Sequence, residues 1–320
     1  MRARSPSGVD IVGTVGWDGP VKADTADTRN DLAAVFEEHR PVLTGVAYRM
    51  LGRVADAEDV VQEAWLRWSA ESREDVRTPR AFLVRITTRL AIDRLRHVQS
   101  RREAYVGPWL PEPYETDFGA GVPDTAERAV LADSVSLAVL VVLESLSPLE
   151  RAVFVLREAF GFPYGEIATV LDRAEPAVRQ LAGRARRHVE ERKPRYEVDP
   201  AQQRDLTERF LAAAAGGDLA ELLSLLAPGV RLVGDGGGKV RLALRVVEGA
   251  DKVARFLLGV AKKAVPGTEL RLTELNGGPA LLTLVDGKPD SAFQLDVADG
   301  RIQCVYIMRN PDKLAGISRS

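Results

Sequence analysis

A multidomain chain is predicted, with two all-α helical domains, the second a helix-turn-helix, followed by an α+β domain with a curved sheet. Three features of the 320 residues predict it. An acidic helical stretch is followed at once by a strongly basic one. A short helix, a tight turn and a longer helix come next, with small residues where the two helices would cross. Beyond residue 200, alternating strand-like runs separated by Gly, Asn and Asp turns follow further helical stretches.

Taken in order, residues 1–30 are rich in Gly, Asp, Thr and Ser and read as a disordered tail or an over-extended start. Leu32, Val35, Phe36, then Leu43, Val46, Ala47, Met50 and Leu51 recur at helical spacing, and Gly52 is a C-terminal stop. In Asp56 to Trp68, Val61, Ala64, Trp65 and Trp68 share one face, while Asp56, Asp59 and Glu63 share another. From Val54 to Asp75 there are seven acids and two bases; from Arg77 to Arg102 there are eight arginines and one acid, Asp93. Thr78-Pro79 opens the basic helix, with Phe82, Leu83, Ile86 and Leu90 on its apolar side. The first folded region thus spans 31–104, and a linker with four prolines and three glycines spans 105–124.

The second region, 125–193, is helical again. Ser147-Pro148 starts a helix lined by Ala152, Val153, Leu156 and Phe160, which Gly161 to Pro163 ends. A short helix with Ile167, Ala168 and Leu171 follows. The turn Asp172-Arg173-Ala174 then leads to a longer helix with Val178, Leu181, Ala182, Ala185 and Val189 inward. A second linker, 194–202, precedes the third domain, 203–315, and a tail, 316–320. In the third domain, helices are expected over Arg204–Gly216, Leu219–Leu226 and Val253–Ala264. Strands are expected over Val230–Val233, Val240–Val247, Leu270–Leu275, Ala280–Val285, Ser291–Val297 and Arg301–Met308.

The charge pattern narrows the function. A net charge of -2 hides an acidic helix beside an arginine-rich one, which suits two partners of opposite sign, a basic protein surface and a nucleic acid. One cysteine, Cys304, excludes an internal disulfide, and three scattered histidines, His39, His97 and His188, argue against zinc. No metal or cofactor is expected. The longest apolar run, Leu137 to Leu143, is far short of the ~20 residues a membrane span needs, so a cytoplasmic protein with no membrane role is expected.

RMLGRVADAEDVVQEAWLRW, TPRAFLVRITTRLAIDRLRHVQSRRE and PYGEIATVLDRAEPAVRQLAGRARR, in that order, resemble the two domains of a bacterial extracytoplasmic-function sigma factor. Three further signatures, WLPEP at 109–113, DGGGK at 235–239 and NPDKL at 310–314, resemble the subgroup with a C-terminal SnoaL-like extension. The resemblance implies a cone-shaped third domain, and as partners core RNA polymerase (β′ and β subunits) and promoter DNA, with one copy acting as a monomer.

It also assigns roles. Asp56, Asp59, Gln62 and Glu63 would meet the basic clamp helices of β′. Arg85, Arg89, Arg94, Arg96, Arg101 and Arg102 would meet phosphates and melted bases of the -10 element, with a flipped base expected at the loop Glu71 to Pro79. Glu175, Ala177, Arg179 and Gln180 would reach -35 base edges, and Arg184, Arg186 and Arg187 the phosphates. Arg179 is expected to read guanine and Gln180 adenine, each contact then worth ~1–3 kcal/mol of discrimination.

WLPEP is stiff and extended, with Trp109 and Leu110 as an apolar anchor; it is either a strap that touches the third domain or a generic linker. Asp235 and Lys239 of the glycine loop, with Asn310, Asp312 and Lys313, are the candidate regulatory contacts between domains. Fused in cis, the third domain has a high effective concentration, so weak contacts suffice to set activity in place of a separate anti-sigma protein. Two other classes stay open: a helix-turn-helix regulator with a ligand-sensing third domain, and a SnoaL-like enzyme with a DNA-binding module. Asp235 and Asp296 are the candidate acids for the enzyme, whose case is weakened by the lack of any histidine in that domain.

Overall fold

The computed structural model describes residues 24–70, 78–102, 104–115, 136–191, 200–263 and 265–317. Residues 1–23, most of the Glu71 to Pro79 loop, residues 116–135 (with the rest of the first linker and the expected start at Thr125), most of 194–202 and residues 318–320 lie outside them. So do the side chains of Arg101 and Arg102.

Three long helices open the molecule: α1 (Asp24–Leu51), α2 (Val54–Ala70) and α3 (Pro79–Arg102). Their apolar faces converge as the spacing predicts, with Leu43, Val46, Met50, Val61, Ala64, Leu83 and Leu95 buried. The tryptophans of α2 staple the group: Trp65 meets Phe36 edge-on at 5.1 Å, and Trp68 Nε1 donates to the Leu32 carbonyl at 3.0 Å. Gly52 stops α1 at φ +70°, and its bareness is needed for a second reason: a Cβ there would lie 3.0 Å from Glu144 Oε1.

The next helices are α4 (Leu137–Leu143), α5 (Pro148–Phe154), α6 (Tyr164–Leu171) and α7 (Glu175–Glu190). A capping box of Ser147 and Glu150 with Pro148 at the first position starts α5, which runs on through a π-helical turn, Val155–Ala159. Asp172 turns the chain left-handed at φ 54° between α6 and α7, which completes the helix-turn-helix. The two helical regions do not keep separate cores. One continuous apolar cluster runs from Phe36 and Val46 through Leu83 and Leu140 to Ile167 and Val178, with α3 packed against both α5 and α6.

The third domain comprises α8 (Pro200–Gly216), α9 (Leu219–Leu225), β1 (Leu226–Asp235), β2 (Val247–Glu248), α10 (Ala250–Ala261), β3 (Glu269–Leu275), β4 (Gly278–Val285), β5 (Lys288–Ala298), β6 (Arg301–Met308) and a short α11 (Pro311–Leu314). The sheet order is β2-β1-β6-β5-β4-β3, antiparallel except for the β1–β6 pair. Left-handed Asn276, Asp286 and Asp299, each followed by a positive-φ glycine, make the hairpin turns. On one sheet face Leu295, Val305 and Ile307 pack with Phe210, Leu222 and Val253 of α8, α9 and α10. On the other, Leu282, Leu284 and Met308 meet Leu110 of the first linker, Leu137 of α4 and Leu314 of α11. The sheet is therefore clothed on its second face by the domains that precede it. Among the described residues no helix is long and apolar enough to cross a membrane.

One strand is not where its alternation placed it. Of Val240–Val247 only the last residue is in a strand, β2, which pairs Arg231 with Glu248 and Leu232 with Val247. The rest folds over the glycine loop. A Cβ on Gly234 would lie 2.6 Å from Leu242, and one on Gly236 2.6 Å from the Val240 carbonyl oxygen. Alternation here served packing of Leu242, while Leu244 and Val246 stay exposed.

Candidate functional site

The acids of α2 divide into two kinds. Asp59 and Glu63 are exposed, as are the amide Gln62 and Leu66 beside them. Asp56 is not: it is buried, and Arg94 of α3 donates to it at 2.7 Å and to Asp59 at 3.0 Å. A helix that must pack against α3 turns its first-turn acid inward, where only a cation makes burial tolerable. Arg53 stands 3.8 Å from Asp56 on its other side. Glu63 pairs along its own helix with Arg67 at 2.7 Å.

On α3, Arg85 is exposed and lines an open groove of about 530 Å³ with Ala168, Thr169, Asp172 and Arg173 of the helix-turn-helix. Arg89 is half-buried and donates to the Val170 carbonyl of α6 at 3.2 Å. Arg96 is tied to Asp93 at 3.0 Å. The expected recognition face of α7 is open: Ala177, Arg179, Gln180, Arg184, Arg186 and Arg187 are all exposed, and Glu175 is half-buried. Three of its arginines meet acids of the same region, Arg179 with Glu175, Arg184 with Glu150 at 3.4 Å and Arg186 with Glu158 at 2.7 Å. Arg179 also lies over the Tyr164 ring at 4.6 Å.

WLPEP, DGGGK and NPDKL, far apart in sequence, meet at one place. Asp235, wholly buried at the end of β1, accepts from the Leu110 amide at 2.9 Å, the Tyr105 hydroxyl at 2.5 Å, the Gly237 amide at 3.1 Å and Lys313 Nζ at 2.7 Å. Lys313 lies over the Trp109 ring at 3.1 Å and also donates to the Leu110 carbonyl. Asn310 donates to the Tyr105 hydroxyl at 2.8 Å, and its Oδ1 caps α11 through the Asp312 amide. The lysine partner of Asp235 is thus Lys313. Lys239 points outward to Asp312 at 2.6 Å, an exposed pair. Burial beside Asp235 pushes the Tyr105 hydroxyl well above its usual range. WLPEP is a strap, locked to the third domain by a saturated carboxylate.

The other end of the strap grips the first helices. Glu112 is buried, its carboxylate 3.3 Å from the Val54 amide at the start of α2 and 3.7 Å from Arg53. Burial pushes its carboxyl above the usual range, with Arg53 opposing. Tyr48 of α1 donates to the Glu112 carbonyl at 2.9 Å and accepts from Asn276 Nδ2 at 2.6 Å; Asn276 also exchanges hydrogen bonds with the Tyr114 backbone. Beside it Arg151 of α5, 1% exposed, donates to the Arg49 carbonyl at 2.9 Å and pairs with Glu144 at 3.0 Å; burial pulls its guanidinium down to about 9. The first helices, the strap, the helix-turn-helix region and the third domain all meet at this corner. Sequence reasoning missed Tyr48, Asn276 and Arg151. Asn276-Gly277 signals a turn, but nothing local marks a tyrosine or arginine at helical spacing as an interdomain bond.

Asp296, the other candidate acid, is half-buried on β5 opposite Cys304 of β6, and burial pushes it up to about 6 against the pull of Arg231. Cys304 is a buried core thiol, pushed up to about 12 by the same cause. Asp235 is wholly buried and its carboxylate accepts four hydrogen bonds. Among the described residues no group of three His, Cys, Asp or Glu is placed to hold a metal ion.

Comparison with known proteins agrees with this layout. The model of Sigma-70 region 2 matches residues 35–102, and that of Sigma-70 region 4 matches residues 136–189. The chain is 42% identical over 291 residues to the ECF RNA polymerase sigma factor SigJ of Mycobacterium tuberculosis (strain ATCC 25618 / H37Rv), covering 88% of this chain and 92% of that protein. It is 36% identical over 285 residues to a probable ECF RNA polymerase sigma factor, SigI, of the same strain, covering 88% and 94%. The crystal structure of M. tuberculosis SigJ superposes with a TM-score of 0.73 at 39% identity, covering 90% of this chain and 100% of that one.

Proposed function

The chain belongs to the extracytoplasmic-function family of RNA polymerase sigma factors, and from that premise we propose that its third domain regulates it in cis by gripping the strap between its two helical regions. As a sigma factor it binds core RNA polymerase and directs it to specific promoters for transcription initiation. We assign the exposed acids Asp59 and Glu63, with Gln62 between them, to the β′ clamp, with β as a second contact, α3 to the -10 element and α7 to the -35 element. The protein acts as a monomer in the cytoplasm, one copy per polymerase, and its third domain makes protein contacts rather than performing catalysis.

The observation that carries the regulatory reading is the Asp235–Lys313 pair sealed under Trp109. Elements at -35 and -10 lie about 25 base pairs apart, roughly 85 Å of B-DNA. Here α3 touches the helix-turn-helix directly, through Arg89 and the Val170 carbonyl. Both elements are engaged only after the helical regions part, and a strap held at both ends opposes parting.

The test is in vitro transcription by the reconstituted holoenzyme with the full chain carrying D235N/K313M, which removes both charges and keeps the shapes. Promoter output rises when the strap is released. Unchanged output from this variant and from Trp109→Ala sinks the regulatory claim.

A further inference from the structure

Arg94 stands where the two charged helices meet, and its two acids differ. The Asp56 carboxylate is buried, 2.7 Å from Arg94 Nη2, and has Arg53 behind it at 3.8 Å. The Asp59 carboxylate is 3.0 Å from the same nitrogen, but its side chain is 62% exposed. A buried ion pair is costly to break by removing one partner. An exposed one is worth little and is exchanged readily for another charge. Arg94 itself is 43% exposed at its side chain, so the guanidinium reaches solvent on the outer side of α3.

We propose that Arg94 couples the two binding surfaces: Asp56 anchors it, Asp59 masks it, and a cationic polymerase surface that takes Asp59 releases it to a promoter phosphate. This rests on the reading of α2 as the polymerase face and α3 as the promoter face. In the free chain the Asp56 and Asp59 carboxylates offset the Arg94 and Arg53 guanidiniums, and this cluster offers DNA no net positive charge until Asp59 is taken. When basic polymerase side chains compete for Asp59, the Arg94–Asp56 bond holds the side chain in place while its charge is uncovered. The coupling is reciprocal: a phosphate that engages Arg94 leaves Asp59 freer for polymerase, by the same factor in affinity. Asp59 is thus a positioning residue for DNA binding as well as a polymerase contact. Glu58, exposed on the same turn, has no place in the pair.

The experiment uses the full chain without polymerase and a fluorescein-labelled DNA duplex of arbitrary sequence, because a phosphate contact is independent of sequence. Anisotropy titrations across a salt series give affinity and slope. D59N tightens binding about threefold at low salt and steepens the log–log salt slope by about 1, the signature of one added phosphate contact. Glu58→Gln removes the same formal charge and leaves the slope unchanged. R94A/D59N returns to the slope of the unaltered chain. A D59N gain that survives in R94A/D59N, or a D59N variant that binds DNA more weakly, overturns the coupling. Core-polymerase affinity is measured on the same D59N protein. No loss there, with the DNA gain intact, overturns instead the polymerase assignment of α2 on which the proposal stands, so the two failures are told apart.

Discussion

Asp296 shows how a single buried carboxylate makes stability depend on pH. Burial between β5 and β6 raises it to about 6, with Arg231 only partly offsetting the cost of its charge. The folded chain therefore binds this proton more tightly than the unfolded chain, whose carboxylate titrates near 4. The stability contributed by the neutral acid is fully present below about pH 4 and is lost as pH rises through about 6. Asp296→Asn, which cannot ionise, flattens the thermal midpoint between those pH values and raises it at neutral pH. Scanning calorimetry over a pH series checks this; a D296N midpoint that falls as steeply as that of the unaltered chain would refute it.

Among the elements, the glycine loop after β1 is the most tightly constrained. Gly237 sits at φ +61°, and a Cβ there would lie 2.5 Å from Asn310 Nδ2, the side chain that ties α11 to Tyr105. Gly237→Ala therefore meets both backbone strain and a collision, and costs about 1–3 kcal/mol. Gly183 in the middle of α7 is the contrast, with nothing within 4 Å of an added Cβ. Gly183→Ala stabilises the chain by about 0.5–1 kcal/mol through helix propensity. Urea unfolding of the two variants should move in opposite directions. The helices themselves were largely legible from periodicity and caps: Gly52, Ser147-Pro148 and the Asp172 turn stand where their residue types require. Val240–Val247 was not, because alternation of apolar residues cannot tell a strand from a loop that tucks one leucine over a glycine turn.

For the whole molecule, the decisive feature is the shared core of the two helical regions and the buried corner that joins them to the third domain. Arg151 is its keystone: a fully buried guanidinium reaches across to the Arg49 carbonyl, and burial already pulls its charge down to about 9. Arg151→Met removes the ion pair with Glu144 and the hydrogen bond to the Arg49 carbonyl of α1. The regions then separate more often, read as lower energy transfer between dyes on α2 and α7, while far-ultraviolet dichroism keeps its helical signal. Equal transfer efficiencies in the two proteins would show that the corner does not hold the compact arrangement.

Local physical chemistry was enough to read from the sequence that this protein is a run of helices followed by a strand-rich domain, that one helix is acidic and the next basic, and that a helix-turn-helix follows. Periodicity, caps and charge runs act within a few residues of one another, so they survive in a one-dimensional pattern. Which charges are free was decided only by the tertiary structure. Asp56 and Asp59 differ by one helical turn, yet one is buried against Arg94 and the other faces solvent. Lys239 and Lys313 read alike as loop lysines, yet Lys313 is the one sealed against Asp235. Burial depends on contacts between segments 38 to 228 residues apart, as in Asp56–Arg94 and Tyr48–Asn276, and no local pattern encodes the partner across that distance.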